Sequence, residues 1–147
     1  MFQPLITEAT LAVATSGTTI FTPGCRFNSW CDTARGSLAL VILLDQFPRH
    51  VFRGQAQAFA TDKPAQAIAR HAIDSGFDLQ LGFAARYFFY NCLGHAEDVA
   101  TVKAMAAKVD QIVEKCPQPQ RNRFVVQQKQ FAIHVDLLVR FGRYPHR

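Results

Sequence analysis

Glu97-Asp98-Val99-Ala100-Thr101-Val102-Lys103-Ala104-Met105-Ala106-Ala107-Lys108-Val109-Asp110-Gln111-Ile112-Val113-Glu114-Lys115-Cys116 decides the fold. Val99, Val102, Met105, Ala106, Val109, Ile112 and Val113 recur three and four apart, which puts them on one face of a helix. Pro117 ends the run, because proline has no N–H to donate. On the C-terminal side, Arg121–Phe141 repeats the spacing with Phe124, Gln128, Phe131, Val135 and Leu138. Gly142 follows it, where a left-handed cap belongs. On the N-terminal side, Phe83–Cys92 is aromatic and apolar nearly all round, the pattern of a helix buried on most sides. Pro64–Ser75 carries Ala65, Ile68, Ala69, Ala72 and Ile73 as a stripe, with Thr61 or Asp62 as its cap and Gly76 after it. Ala34–Gln46 presents Leu38, Val41, Ile42 and Leu44, and Pro48 is expected to stop it. Residues 3–14 allow a further helix with weaker patterning. No stretch alternates with period two for long enough to be a strand. The expected architecture is all-α, about five to six antiparallel helices joined by short loops in one domain over residues 1–147.

Composition and charge narrow the class. The chain has 147 residues, 49% hydrophobic and 18% charged, which excludes a disordered chain. Residues 1–120 are electrically neutral, so the whole net charge of +5 lies in residues 121–147. There Arg121, Arg123, Lys129, Arg140, Arg143 and Arg147 face Asp136 alone. The longest aliphatic run, Leu38–Leu44, is far short of the about 20 residues a membrane span needs, so no membrane association is expected. Met1-Phe2-Gln3-Pro4 has no basic start and no apolar core after it, so a cytoplasmic location is expected. Cys25, Cys31, Cys92 and Cys116 fit no zinc or redox spacing. Free thiols are the default in a reducing compartment, with a Cys25–Cys31 bridge as the alternative.

Residues 15–30, rich in Thr, Gly and Ser, read as an irregular loop of about sixteen residues, near the upper limit for compact domains. Such a loop is either functional or an insertion.

Three blocks carry a family resemblance. The first runs from Arg35 to Gly54 through Leu44-Asp45-Gln46-Phe47-Pro48-Arg49 and Phe52-Arg53-Gly54, and continues to Ala58-Phe59-Ala60-Thr61-Asp62. The second is Arg86-Tyr87-Phe88-Phe89-Tyr90 followed by His95-Ala96-Glu97-Asp98. The third is Phe131-Ala132, His134, Asp136 and Arg140-Phe141-Gly142-Arg143-Tyr144-Pro145-His146-Arg147. In this order they resemble a mainly bacterial family of uncharacterised proteins with a TPR-like helical fold. Its pattern reads LDQFPRN-x-FRG, AFATD, R-x-x-x-Y-x-P-x-x-HSED and RFGRFPHRN. The match covers residues 33–147. His50 stands in place of Asn, Asn91-Cys92 in place of Leu-Pro, and Ala96 in place of Ser. The resemblance implies a chain shortened at both ends, with an insertion near residues 12–29. It also implies the TPR-like fold, since no repeat of about 34 residues is visible.

Four constellations are candidates for chemistry. Asp45 and Arg49 follow the aliphatic run. They suit either a charge pair at a pocket floor or a buried acid clamped by Arg49 or Arg53. His95, Glu97 and Asp98 open the long helix. The two acids suit the positive end of its dipole, and with His95 they suit a general base or metal corner. By the family pattern Ser would cap this helix, and Ala96 cannot. His134, Asp136 and Arg140 lie on the last helix, where Asp136 and Arg140 suit a surface pair and His134 faces elsewhere. Arg140, Arg143 and His146 follow a helix C-terminus, where cations bond the last carbonyls, grip an anion, or dock on Asp45, Glu97 or Asp98.

The function expected is a binding module for a peptide, a protein or a small anionic ligand in a groove between helices. Asp45, Arg49, Arg53, His95, Glu97, Asp98, His134, Arg140, Arg143 and His146 are its candidate residues. The alternative is an enzyme using a His/Asp/Glu/Arg cluster as acid, base or metal ligands. Phosphate loops, a nucleophile elbow and a Walker lysine are absent, so no cofactor and no metal site is expected. Without a helix-turn-helix, zinc or OB-type signature, the basic segment argues weakly for nucleic acid. Oligomeric state is not legible.

Overall fold

The computed structural model describes residues 28–145. Among them the protein is all-α, with no strand. A 3₁₀ turn, Asn28–Asp32, leads into α1, Ala34–Val41, whose first turn is capped by the Thr33 hydroxyl accepting from the Gly36 N–H. The helix widens into a π turn at Ile42–Gln46 and continues as α2, Phe47–Val51. Then come α3, Asp62–Asp74, α4, Phe83–Gly94, α5, Val99–Lys115, and α6, Gln118–Phe141. Short 3₁₀ turns at Ala56–Phe59 and Asp78–Gln80 precede α3 and α4. Each helix from α3 onward packs on the next, and α1 packs on both α3 and α4. No helix among the described residues is long and apolar enough to cross a membrane. Of the loop expected over residues 15–30, the 3₁₀ residues 28–30 are described. The remainder, the insertion near 12–29 apart from its last two residues, the helix at 3–14 and Cys25 lie outside the described residues.

Pro48 does not stop the helix as expected. A proline inside an α-helix leaves the carbonyl four residues back without a donor, and its ring crowds that carbonyl. Here that carbonyl is Leu44. The π turn relaxes the spacing, with Phe47 N–H bonding to the Ile42 carbonyl. The Thr61 hydroxyl reaches across from the start of α3 and donates to Leu44. Thr61 is therefore engaged in the core and makes no side-chain cap for α3, contrary to the capping role expected of it. Two sequence features, one proline and one threonine thirteen residues on, jointly build an unusual turn.

The apolar stripes form one core. Leu40, Val41 and Leu44 meet Ile68, Ala69 and Ala72 of α3 and Phe89 and Leu93 of α4. The core continues through Val102, Val109 and Ile112 of α5 to Phe124, Phe131 and Leu138 of α6. Burying each large side chain stabilises the fold by about 1.5–3 kcal/mol. On α1 the inward positions are Leu40 and Val41, with Leu38 only half-buried. The neighbours of this face are α3 and α4, and Gly94 at the end of α4 lets the Phe131 ring approach so closely that a Cβ there would lie 2.7 Å from it. Gly142 ends α6 at φ +67°, the left-handed conformation that glycine adopts without strain.

Two expectations about the start of α5 are corrected. The helix begins at Val99, so Glu97 and Asp98 precede it instead of filling its first turn. The cap is Asp98, whose carboxylate accepts from the Thr101 N–H at 2.8 Å. Ala96 lies two residues before the cap and is buried, so its lack of a hydroxyl costs the helix no cap.

Candidate functional site

Asp45 lies in the π turn and its side chain is 1% exposed. An isolated buried carboxylate would be costly, so it has to be paired. Arg49, one turn on, places its Nη1 nitrogen 2.9 Å from Asp45 Oδ1 and donates to the Asp45 carbonyl at 2.7 Å. His95 Nδ1 lies 2.7 Å from the same Oδ1. Gln46 donates to Oδ2. Burial alone would raise the acid's pKa. The hydrogen bond and charge of His95, the charge of Arg49 and the Gln46 bond outweigh burial and hold it below its usual value. An ionised carboxylate only accepts, so the proton of the Asp45–His95 bond belongs to Nδ1.

The clamp extends to Asp62, in the first turn of α3. Arg49 Nη2 donates to Asp62 Oδ2 at 3.0 Å, and Nη1 lies 2.9 Å from Asp62 Oδ1 as an ion pair. The guanidinium also lies over the Phe59 ring, 5.6 Å from its centroid. In the sequence Asp62 stands as a candidate helix cap and as the last residue of the Ala58–Asp62 block. Its role as a second carboxylate on Arg49 had no local signal.

Four elements meet at His95. The residue caps the end of α4, its N–H bonding back to the Cys92 carbonyl. Its side chain keeps 15% of its surface exposed. The His134 ring on α6 stands 6.4 Å from it, centroid to centroid. His134 in turn meets the Tyr144 ring edge-on at 5.1 Å, and Gln130 Nε2 lies 3.1 Å from its Nε2. After Gly142 the chain folds back so that Tyr144 is buried. Its hydroxyl donates to the Gly94 carbonyl at 2.6 Å and its N–H to Glu97 Oε1 at 2.9 Å. The C-terminal strap is thus tied to residues on both sides of His95.

Two neighbouring groups respond to this charge. Burial, and then the negative charge of Asp45, push the Tyr87 phenol above its ordinary range. Burial, followed by Asp45 and Asp62, does the same to the Cys92 thiol, which argues against a thiolate nucleophile there. Tyr87 uses its hydroxyl to join α4 to α6, within 2.9 Å of Asn91 and 2.6 Å of Gln127.

Of the residues singled out from the sequence, the structure brings together Asp45, Arg49 and His95, with His134 beside them and Glu97 holding the strap. It does not gather the rest. Asp98 caps α5. Arg140 is exposed and pairs with Asp136 at 3.0 Å. Arg53 and Arg143 are exposed, and among the described residues no ion pair links them to the cluster. His146 lies outside the described residues. The clamp on Asp45 is Arg49, not Arg53. The tail does dock on Glu97, but through a backbone N–H instead of an arginine. Among the described residues no three His, Cys, Asp or Glu side chains come together as a metal site.

Comparison with known proteins agrees with the all-α fold. A solved structure of a protein of unknown function from Agrobacterium tumefaciens matches at a TM-score of 0.72 and 32% identity, over 99% of this chain and 69% of that one. No curated protein matches. The family model for the bacterial protein of unknown function DUF924 matches residues 7–147, so the chain belongs to the DUF924 family.

Proposed function

We propose that this chain is a helical, TPR-like binding module whose ligand is met at the corner around His95. The observation that carries the reading is the 2.7 Å bond from His95 Nδ1 to a carboxylate that is 1% exposed. It fixes the tautomer and the plane of an imidazole that keeps part of its surface in solvent, and a fixed polar group beside helix ends suits recognition.

The arginines expected to hold an anion do not support a grip of that kind. Arg49 is committed to Asp45 and Asp62, and Arg140 to Asp136. The ligand class favoured is a small molecule or peptide group that hydrogen-bonds an oriented imidazole. An anion would have to be met by His95, with His134 beside it, in place of arginine forks.

NMR of the two histidine rings tests this. Phosphate, acetate and a dipeptide are added in turn to the protein, and mass spectrometry under non-denaturing conditions looks for a ligand carried through purification. Binding at the corner moves the His95 ring resonances first and those of the neighbouring His134 ring with them, and in folded His95→Gln the His134 shift is lost. Shifts confined to other residues, or a retained ligand unaffected by His95→Gln, overturn the reading.

The same Asp45–His95 pair favours a second reading, an acid–base enzyme in which Asp45 orients His95 as the base. A carried ligand that changes mass on incubation with the wild type, but not with His95→Gln, supports that reading over the first.

A further inference from the structure

We propose that Asp62 is a positioning residue for His95, acting through Arg49 and Asp45. It deepens the reading of His95 as the ligand-meeting group and rests on that reading for its functional meaning. The chain of contacts is continuous. Asp62 accepts from Arg49 Nη2 at 3.0 Å through Oδ2, and its Oδ1 lies 2.9 Å from Nη1 as an ion pair. Arg49 Nη1 and His95 Nδ1 then share one oxygen, Asp45 Oδ1, at 2.9 and 2.7 Å. His95 is bonded to that oxygen, while Arg49 donates to the Asp45 carbonyl and meets the oxygen as an ion pair, so the place Arg49 holds decides how the carboxylate is presented to His95. A guanidinium held on one side only would be free to turn about Asp45. A planar fork gripped by a second carboxylate and laid over the Phe59 ring is not.

The route also explains why three separate segments converge here. Asp45 comes from the π turn, Asp62 from the start of α3 and His95 from the end of α4. Asp62 itself is buried at 6% exposure, too deep to serve merely as a solvated helix cap. Outer partners of metal-bound imidazoles act in this way, by fixing the group that fixes the ring, and the same physical argument applies to an imidazole held by a carboxylate.

The test reads His95 in the whole, ligand-free chain. The Nδ1 proton of His95, held by a buried carboxylate, is followed by proton NMR together with its exchange with water. In Asp62→Asn that resonance moves and its exchange with water accelerates. Asp78→Asn is the control, since Asp78 is also buried but is bonded to Tyr90 at 2.6 Å and makes no contact with Arg49 or Asp45 among the hydrogen bonds and ion pairs of the described residues. It lowers the melting temperature and leaves the His95 proton where it was. Should Asp62→Asn not fold, Asp62→Glu keeps the charge but displaces the carboxylate that holds Arg49, and the same proton is read there. A His95 proton unchanged in shift and exchange in whichever variant folds, with only stability lowered, assigns Asp62 a purely structural role and overturns the proposal. No ligand enters this measurement. A failure to find one would count against the binding reading and leave this result standing.

Discussion

Replacing Asp45 by alanine leaves the His95 imidazole without its acceptor and takes from Arg49 one of its two carboxylates, Asp62 being the other. Breaking one side of a buried ion pair costs about 3–5 kcal/mol. Urea denaturation followed by circular dichroism should show a loss of that size in Asp45→Ala, and a smaller one in Asp45→Asn, which keeps the shape and part of the hydrogen bonding. The two side chains four apart, Asp45 and Arg49, were legible in the sequence because helical spacing alone puts them in reach. Asp62 was not. An acid at a helix start explains itself locally, and its contact with Arg49 across thirteen residues depends on how the 52–61 loop closes. His95 is fifty residues from Asp45, and only the docking of α4 on α1 brings them together.

At the scale of elements, the π turn is where local reading and tertiary structure part company. Pro48 signals a helix end by every local rule. What that rule omits is an outside donor for the Leu44 carbonyl, and the Thr61 hydroxyl supplies one. Thr61→Val preserves shape and removes the donor. It should leave a buried carbonyl unsatisfied and cost about 1–3 kcal/mol. If the π turn depends on that bond, the variant also loosens the Asp45–His95 hydrogen bond, visible in the His95 Nδ1 proton. A second element-scale prediction concerns Gly94. Its bare α-carbon faces the Phe131 ring, and a methyl group there would lie 2.7 Å from ring carbons. Gly94→Ala should therefore push α6 away from α4 and destabilise by about 1–3 kcal/mol. Gly94→Ala with Phe131→Leu should recover part of that loss, measured in the same denaturation assay. The helices themselves were legible because their stripes are long and regular. Their ends were less so. The start of α5 at Val99 turned on whether Asp98 was a first-turn acid or the cap, and both suit the same residue type.

For the whole molecule, the charge balance and the buried carboxylate act together on acid stability. The chain carries +5 at neutral pH with its five histidines uncharged, and acidification adds positive charge throughout, so self-repulsion grows as the pH falls. Asp45 adds a second effect of definite sign. Its folded-state pKa is lowered from the ordinary 3.8, so around that pH the unfolded chain binds a proton that the folded chain does not. Its stabilising contribution is complete above the unfolded value and is lost as the pH falls through the lower folded value. The exposed part of the effect is screened by salt, whereas the buried part is screened much less. Acid unfolding followed by circular dichroism at low and at high salt separates the two. High salt should move the wild-type midpoint to lower pH, by weakening repulsion, yet leave a steep loss of stability below about pH 4. In Asp45→Asn that residual slope should fall by the uptake of about one proton, although the variant is less stable at neutral pH. An acid transition in high salt with the same slope in both proteins would mean that other carboxylates, not Asp45, set the acid limit of the fold.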